Sequence, residues 1–304
     1  MAMRLKTLIN QFLEWCEKAR KPSTGRNYRW LLFKFLKHTG NVPIDKLKPL
    51  DLSIYATTWH EVQSVQRLFQ WAKDDLEAIS RNPFSKVKRP PPGQRKRVLD
   101  PRELSRYFRR AQPAFRRFLL AMRATLARPQ EIRGLIWEML RAENPRDSIE
   151  EALAAGRAIF VMHEYKCRDV RLDPSVPRVL FVNRRLGRLL LRMLGRIAER
   201  KGPIFLNERG QPYTGNAIRC CMRRLRRRCK SVRDVGGEQI CVYTIRHSMA
   251  TIASAAGVRD RKLAEILGHT STQTTARYQH LQLEHLREAM NQIDQAMKQK
   301  RKAA

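Results

Sequence analysis

The sequence of 304 residues lacks several features that would each point to a particular class of protein. No apolar run approaches the roughly 18 residues of a membrane-spanning helix. The first residues show no apolar segment followed by a small-residue cleavage site, so we do not expect secretion. The six cysteines include no C-x-x-C pair, and the adjacent Cys220 and Cys221 have poor geometry for a disulfide. We therefore expect free thiols and a cytoplasmic protein.

Sequence motifs of cofactor and metal chemistry are also missing. There is no GxxxxGK[ST] phosphate-binding loop, and no set of three carboxylates of the kind that binds two metal ions stands out. A metal site of Cys220, Cys229 and His247 is conceivable, but its spacings match no zinc pattern. We therefore expect neither a cofactor nor a metal.

Acidic residues are scarce: 28 Asp and Glu stand against 62 Lys and Arg, a formal net charge of +34. Such an excess requires an anionic partner or carries a cost in self-repulsion. Nucleic acid, an anionic membrane and an acidic protein are the candidates. The basic residues are spread along the chain rather than on one amphipathic helix, which argues against a membrane.

The first 85 residues read as a small helical domain. One apolar stripe begins at Leu5, and a second helix has Ser23 as a possible N-cap and Gly40 as a stop. A further helix is expected to end at Asn82-Pro83. The stripes comprise Leu5, Leu8, Ile9, Phe12 and Leu13, then Tyr28, Leu31, Leu32, Phe35 and Leu36, then Val62, Val65, Leu68, Phe69 and Ala72.

A basic, proline-rich linker is expected over residues 86–99, where prolines and a glycine disfavour helix and sheet. It could be a solvated connection or an arm that lies along phosphates, and the basic composition favours the arm. We predict domains at 1–85 and 100–290 and a basic tail at 291–304. The cations of the arm are Lys86, Lys88, Arg89, Arg95, Lys96 and Arg97.

The second domain is predicted to be mainly α with a small antiparallel sheet. Asp100, Pro101 and Glu103 form the pattern of a capping box that begins a helix, and helical stripes continue to about residue 125. Strand candidates lie at 132–137, 157–163, 178–182 and 204–206, and the chain is mostly helical again from Gly215.

A very basic helix is predicted over residues 215–230, which hold seven basic residues and no acidic one. Ile218, Met222 and Leu225 share one face. The helix could be a solvated surface element, but a phosphate backbone would relieve the repulsion between its arginines. The predicted DNA-binding residues are Arg219, Arg223, Arg224, Arg226, Arg227 and Arg228.

The segment from 243 to 278 carries the most specific pattern. Arg246-His247 is expected to open a helix, and a later stripe stops at Gly268. His269 follows at once, and Tyr278 comes nine residues after it. A single His after Gly or a single Tyr on a helix is common, but the combination with an upstream Arg-His is not.

These segments resemble the boxes of the tyrosine recombinase (phage integrase) family. LGHTSTQTTARY is similar to its LGH…Y box with the same spacing, and RHSMAT to its Arg-His helix box. TLARPQEIRGLIW resembles the first arginine box, with Arg128 as the arginine and Glu131 as the acid. The N-terminal helices resemble the family's core-binding domain, so the resemblance covers about residues 3–290.

The resemblance implies a metal-free transesterification of DNA. Tyr278 would attack the scissile phosphate and form a 3′-phosphotyrosyl bond, while Arg128 and Arg246 hold the non-bridging oxygens. His269 would donate a hydrogen bond to the phosphate, and Lys166 matches the family's hairpin lysine that protonates the leaving oxygen. Always-charged, fork-shaped arginines suit the charge of this transition state.

Two positions depart from the family's pattern. Tyr243 stands where a histidine is usual, three residues before the second arginine, and Tyr is a poor general base at neutral pH. Leu126 replaces the glycine of the first box, and Pro129 follows its arginine. These departures bear on rate and local backbone, and the reaction class is unaffected.

The partners implied are double-stranded DNA attachment sites and a homotetramer on two duplexes. We expect residues 282–297 to dock on a neighbouring protomer; the alternative is that this terminal helix folds back on its own domain. Two alternatives remain open from the sequence. One is a type IB topoisomerase, which cuts and reseals one strand with the same chemistry. The other is a DNA-binding protein that has lost catalysis.

Overall fold

The computed structural model describes residues 3–91, 93, 97–165, 175–229 and 239–269. The chain divides into two compact units, Met1–Gln94 and Arg95–Ala304. No helix among the described residues has the length and apolarity needed to cross a membrane. The cysteines within these ranges, Cys16, Cys220, Cys221, Cys229 and Cys241, are free thiols.

The first unit is a bundle of four helices, α1 (Leu5–Ala19), α2 (Pro22–Thr39), α3 (Pro49–Tyr55) and α4 (Trp59–Asp74). The predicted stripe of α1 is buried throughout, because its apolar residues recur on one face of the helix. At the start of α4, buried Glu61 accepts hydrogen bonds from the backbone N–H groups of Thr57 and Thr58 and pairs with Lys34. This carboxylate closes a capping box with Thr58.

Two predicted helix boundaries in this unit are wrong. The second helix begins at Pro22 with Lys21 as N-cap, not at Ser23, because proline fits the first helical position, where no N–H is needed. The helix α4 ends at Asp74, well before Asn82-Pro83, and the chain then turns through Glu77 at a φ of 52°. Asn82 is buried in a turn instead, where its Oδ1 accepts from the Phe84 N–H at 2.9 Å.

In the part of the second unit that the structure describes, helices pack around a three-stranded antiparallel sheet, so the predicted fold class is confirmed. The strands are β1 (Leu140–Ala142), β2 (Ala158–Met162) and β3 (Arg178–Val182), in the order β1-β2-β3. In the ladder between β2 and β3, Ala158 lies opposite Val182 and Met162 opposite Arg178. The helices are α5 (Pro101–Arg110), α6 (Pro113–Thr125), α7 (Pro129–Arg133), α8 (Ile149–Ala155), α9 (Arg184–Leu194), α10 (Gly215–Arg228), α11 (Val242–Ala255) and α12 (Asp260–Leu267).

Two predicted strands of this unit are absent from the described chain. Residues 132–137 form the end of α7 and the start of a 3₁₀ turn, because Pro129 at the first helical position and Glu131 in a capping box begin a helix there. Residues 204–206 contain a single isolated bridge, from Leu206 to Pro212, and Pro203 just before them forms another with Ile136. Proline has no N–H to donate to a strand ladder, so pairing stops after one residue.

Helix starts in this unit otherwise follow local sequence. The capping box of Asp100 and Glu103 begins α5 as predicted. Helix α11 begins at Val242, so Arg246-His247 lies in its second turn and does not open the helix. At the observed N-terminus of this helix, the Cys241 N–H donates to Thr244 Oγ1 at 3.0 Å, so this N–H has a hydrogen-bond partner. The sequence alone predicts a helix that begins further along the chain.

Candidate active site

The C-terminal end of α12 is held by three arginines from three different elements. The carbonyl oxygens of the last three residues of α12, and that of Gly268, which caps the helix, each accept a hydrogen bond from a guanidinium. Arg178 Nη1 and Nη2 donate to the carbonyls of Glu265 and Ile266 at 2.8 and 2.6 Å, Arg246 Nη2 to that of Leu267 at 2.6 Å, and Arg128 Nη2 to that of Gly268 at 2.9 Å. Cations stabilise the negative end of a helix dipole, so this arrangement is electrostatically favourable.

His269 follows directly on this helix end. Gly268 adopts the left-handed conformation with a φ of 63°, and the His269 N–H donates to the carbonyl of Ala264 at 2.9 Å. Glycine suits this position because it has no Cβ to clash in that conformation. The point at which His269 leaves the helix is therefore fixed relative to Arg128 and Arg246.

Glu131 is a buried carboxylate at the centre of the same three arginines. Its Oε1 lies 2.9 Å from Arg128 Nη1 and 3.6 Å from Arg178 Nε, and its Oε2 lies 4.0 Å from Arg246 Nη1. Its Oε2 also accepts from the Arg128 backbone N–H at 2.6 Å. A charge buried at 3% exposure requires partners of this kind, and here one anion orients several cations.

The two departures in the first arginine box are accommodated by the backbone. Leu126 adopts the left-handed conformation with a φ of 53°, which glycine would enter at no steric cost. Its carbonyl accepts a hydrogen bond from Arg246 Nη1. Pro129 occupies the first position of α7 with Arg128 as N-cap, where a proline is well tolerated. Leu126 therefore still presents its carbonyl to Arg246, and Pro129 leaves the position of Arg128 unchanged.

Tyr243 lies one turn before Arg246 on α11, with 37% of its surface exposed. Burial of the phenol raises its pKa above the usual value, and the positive charges of Arg128 and Arg246 oppose the rise without cancelling it. The hydroxyl is therefore protonated at neutral pH and acts as a hydrogen-bond donor. Tyr243 cannot replace a histidine as a base, but it can replace a histidine as a donor.

A basic groove of about 640 Å³ adjoins Tyr243 and is bordered by α7, α10 and the start of α11. We call it the α10 groove. The six predicted DNA-binding arginines of α10 divide between two sides of the helix. Arg219, Arg223 and Arg226 line the groove together with Arg133, whereas Arg224, Arg227 and Arg228 lie outside its lining.

The described cations of the predicted arm are held to different extents. Lys86 and Lys88 are exposed. Arg89 Nε donates to Gln66 Oε1 at 2.6 Å, and its guanidinium lies 5.7 Å from the centroid of the Trp59 ring. Arg97 is ion-paired with Glu103, so part of its charge is already compensated. Arg95 and Lys96 lie outside the described residues.

The structure thus brings Arg128, Arg246 and His269 together and places Tyr243 beside the two arginines. Lys166 and Tyr278 lie outside the described residues, so their roles remain predictions. Within the described ranges, no three His, Cys, Asp or Glu side chains form a group that could hold a metal ion.

Arg178 is a residue of this cluster that the sequence reasoning missed. It is 2% exposed at the first position of β3. The strand alternates, with Arg178, Leu180 and Val182 facing the core. An arginine in register with two inward-facing apolar residues is the signal that could have identified it.

Comparisons with known proteins agree on one family. A sequence model of the phage integrase family matches residues 97–285. The chain is 24% identical over 289 residues to tyrosine recombinase XerC 2 of Ralstonia nicotianae, covering 92% of this chain and 76% of that protein. It is 32% identical over 100 residues to tyrosine recombinase XerC of Thermodesulfovibrio yellowstonii, about a third of each chain.

Solved structures show the same fold at low sequence identity. The Tn1549 transposon integrase in complex with a circular intermediate DNA has a TM-score of 0.71 at 18% identity, covering 96% of this chain and 100% of that chain. A lambda integrase tetramer bound to a Holliday junction also has a TM-score of 0.71, at 13% identity, covering 92% and 78%. The sequence-based predictions of family and of reaction, DNA strand cleavage and rejoining, are confirmed, and the chain belongs to the phage integrase family of tyrosine recombinases.

Proposed function

We propose that this chain is a site-specific DNA recombinase that cleaves and rejoins strands through a covalent bond to Tyr278. The observation that carries the proposal is the meeting of Arg128, Arg246 and His269 at the end of α12. These are the residue types that hold a phosphodiester, and three separate sequence motifs supply them. DNA attachment sites are the substrate, and neither metal nor ATP takes part.

The arginines act on the charge that develops during the reaction. Negative charge accumulates on the non-bridging oxygens of the scissile phosphate as the nucleophile approaches. Arg128 and Arg246 are oriented by backbone carbonyls and by Glu131 before DNA arrives, so little reorganisation is needed at the transition state. A guanidinium carries five N–H groups, and the two side-chain bonds of Arg128 to Glu131 and Gly268 leave it able to donate to a phosphate oxygen as well.

The reaction proceeds by two balanced transesterifications. The Tyr278 hydroxyl gives its proton to solvent water and attacks phosphorus, the bond from phosphorus to the 5′-oxygen breaks, and Lys166 gives that oxygen a proton. The product is a 3′-phosphotyrosyl bond and a free 5′-hydroxyl. A 5′-hydroxyl from the partner duplex then gives its proton to Lys166, which is neutral after the first step, and attacks the same phosphorus. The bond from phosphorus to the Tyr278 oxygen breaks, and that oxygen regains a proton from solvent water. One phosphodiester is exchanged for another ester, so no external energy source is required.

Tyr243 donates a hydrogen bond to the same phosphate or to the attacking oxygen. Its raised pKa keeps the hydroxyl protonated over the pH range in which a histidine would titrate. Cleavage should therefore lack the acid limb that titration of a histidine at this position would give. Replacement by phenylalanine removes the donor alone.

The α10 groove is proposed to contact the DNA backbone beside the scissile phosphate. Its arginines extend the positive charge of the cluster along α10, and phosphate contacts of this kind position a protein on a duplex. Relatives in DNA complexes, among them a lambda integrase tetramer on a Holliday junction, support a homotetramer on two duplexes. Bacterial relatives support a cytoplasmic enzyme.

A suicide substrate tests the proposal directly. A duplex nicked just 3′ to the scissile phosphate loses a short strand after cleavage, so the covalent protein–DNA adduct accumulates and is counted on a denaturing gel. Wild type should form the adduct with EDTA present, and Tyr278→Phe should form none while still binding DNA. Tyr243→Phe is the matched control: it removes a phenol from the same site and should slow the adduct without abolishing it.

Each of the other outcomes would contradict a specific part of the proposed function. An adduct formed by Tyr278→Phe would identify another nucleophile, and a strict requirement for a divalent metal would exclude the mechanism. Binding without any adduct from the wild type would indicate a protein that has lost catalysis. Relaxation of supercoiled plasmid without recombinant products from paired sites would indicate a topoisomerase.

A further inference from the structure

Arg178 makes the most extensive contacts of the buried arginines with the end of α12. Its guanidinium bonds two successive carbonyls, those of Glu265 and Ile266. Its Nε also lies 3.6 Å from Glu131 Oε1. An arginine stays charged at all relevant pH values, so burial at 2% exposure is tolerated only where acceptors of this kind surround it.

The Arg178 guanidinium is also packed closely against Gly268. A Cβ atom built on Gly268 would lie 2.8 Å from both Cζ and Nε of Arg178 and 3.0 Å from Nη1. The glycine is therefore required by the arginine as well as by its φ of 63°. The guanidinium occupies the space directly beside the residue that precedes His269.

The other two arginines bond later points of the same turn. Arg246 bonds the carbonyl of Leu267 and Arg128 that of Gly268. Arg178 bonds the two earlier carbonyls from the sheet side, so the helix end is held by β3 independently of the arginines assigned to the phosphate. Loss of Arg178 would remove the attachment of the last turn of α12 to β3 and leave that turn anchored by Arg128 and Arg246 alone.

We propose that Arg178 is a positioning residue which, by fixing the last turn of α12 to β3, holds His269 in line with the phosphate bound by Arg128 and Arg246. The inference rests on the proposed function. Arg178 does not touch DNA in this scheme. Its effect on cleavage is transmitted through His269, because misplacement of a reacting group by about 1 Å costs on the order of 10²-fold in rate.

Single-turnover cleavage of the suicide substrate by Arg178→Met and Arg178→Lys tests this role. We expect Arg178→Met to lower the cleavage rate about 10- to 100-fold, with less than about a threefold change in DNA affinity. Arg178→Lys should recover part of the rate, because an ammonium can still donate to a carbonyl of the helix end. Leu180→Ala is the matched control, since it removes a buried side chain of the same strand that packs in a different apolar cluster from Leu263 and Leu267 of α12.

A double-mutant cycle with His269→Ala separates positioning from general destabilisation. If Arg178 acts through His269, Arg178→Met should cost less than about threefold in a His269→Ala background, whereas Leu180→Ala should have the same effect in both backgrounds. Gly268→Ala disturbs the same contact without removing a buried charge. It should slow cleavage, and its effect should also shrink when His269 is alanine.

Several outcomes would overturn the inference. Cleavage by Arg178→Met within about threefold of the wild type, or an undiminished effect of Arg178→Met in the His269→Ala background, would exclude positioning through His269. Should Arg178→Met fail to fold, Arg178→Lys and Gly268→Ala carry the same cycle. Rescue of Arg178→Lys by a 5′-bridging phosphorothiolate, whose thiolate leaves without a proton, would place the effect at Lys166 instead. A wild type that forms no adduct would refute the proposed function, a result separate from any effect of Arg178.

Discussion

Replacing Glu131 with glutamine should destabilise the second unit, because the buried guanidiniums of Arg178 and Arg246 and the partly exposed one of Arg128 would lose the carboxylate they share. The contact with Arg128 is a direct hydrogen bond at 2.9 Å, and those with Arg178 and Arg246 are longer, at 3.6 and 4.0 Å. Removing one partner of a buried ion pair costs about 3–5 kcal/mol. Glutamine keeps one acceptor oxygen, so we expect the lower end, about 3 kcal/mol.

The assay is thermal unfolding of the full chain with and without a duplex attachment site. For a unit of this size, about 3 kcal/mol corresponds to a fall of roughly 6–12 °C in melting temperature. A bound phosphate would supply the missing negative charge to Arg128 and Arg246. Addition of DNA should therefore raise the melting temperature of Glu131→Gln more than that of the wild type.

Glu265→Gln is the matched control for this experiment. Its carboxylate lies 3.7 Å from Arg261, and both side chains are largely exposed, at 71% and 90%. Such surface pairs contribute about 0–1 kcal/mol, so this variant should melt close to the wild type. If Glu131→Gln also melts within about 2 °C of the wild type, the carboxylate is not what compensates the buried arginines. An equal effect of DNA on Glu131→Gln and wild type would refute the link to phosphate.

Salt dependence, assembly and acid stability each test a different part of the molecule. Changing the groove arginines to Ala should reduce the slope of log affinity against log salt by about 0.9 for each phosphate that the variant no longer neutralises. Changing the arginines outside the groove to Ala should reduce this slope less. If the two sets of changes reduce the slope equally, the groove does not contact the DNA. Truncation after about residue 281 should spare single-site binding and abolish recombination, so normal recombination by the truncated chain would place the assembly contacts elsewhere. Burial alone would raise the pKa of Glu61, but hydrogen bonds from Lys34, Thr57 and Thr58 lower it from 4.5 to about 2. The contribution of ionised Glu61 to the free energy of unfolding, up to about 3 kcal/mol, is therefore present above pH 5 and lost as the pH falls toward 2. The free energies of unfolding of Glu61→Gln and wild type, measured in urea, should converge over that range. A difference between them that does not change with pH would contradict this prediction. The groove set is Arg219, Arg223 and Arg226, and the matched outer set is Arg224, Arg227 and Arg228.

Features encoded by neighbouring residues could be predicted from the sequence. The stripe of α1 is buried as expected, the capping box of Asp100 and Glu103 begins α5, and β3 spans the predicted residues 178–182. Each depends on side-chain period or on contacts within a single turn. The helix stop at Gly268 is also confirmed, because a left-handed C-cap depends on a single residue, which is usually a glycine.

Predictions failed where a short apolar run was compatible with more than one structure. Ile132 and Leu135 would be buried whether their segment formed a strand or a helical turn, so their apolar character does not distinguish the two. Pro129, at the first helical position, favours the helical turn. The division of α10 into a groove side and an outer side was equally undetermined. The arginines occur across the whole exposed face of that helix, and only the positions of α7 and the start of α11, which border the groove with it, distinguish the two sides.

The arrangement at the end of α12 could not be predicted at all, because its acceptors are backbone carbonyls separated from the arginines by long stretches of chain. Arg128 is 140 residues from Gly268, and Arg178 is 87 residues from Glu265. A carbonyl oxygen leaves no signal in sequence, so the motifs identify the arginines as phosphate ligands and say nothing of what they hold in the free protein. Yet each of the two arginines assigned to the phosphate also anchors the turn that carries His269. An alanine substitution at either position therefore removes a phosphate ligand and loosens His269 together, and its loss of rate will exceed the contribution of the phosphate contact alone. Only substitutions that disturb the helix end and leave the side chains of both phosphate ligands in place can separate the two effects, and Arg178 and Gly268 are the positions where the structure offers them.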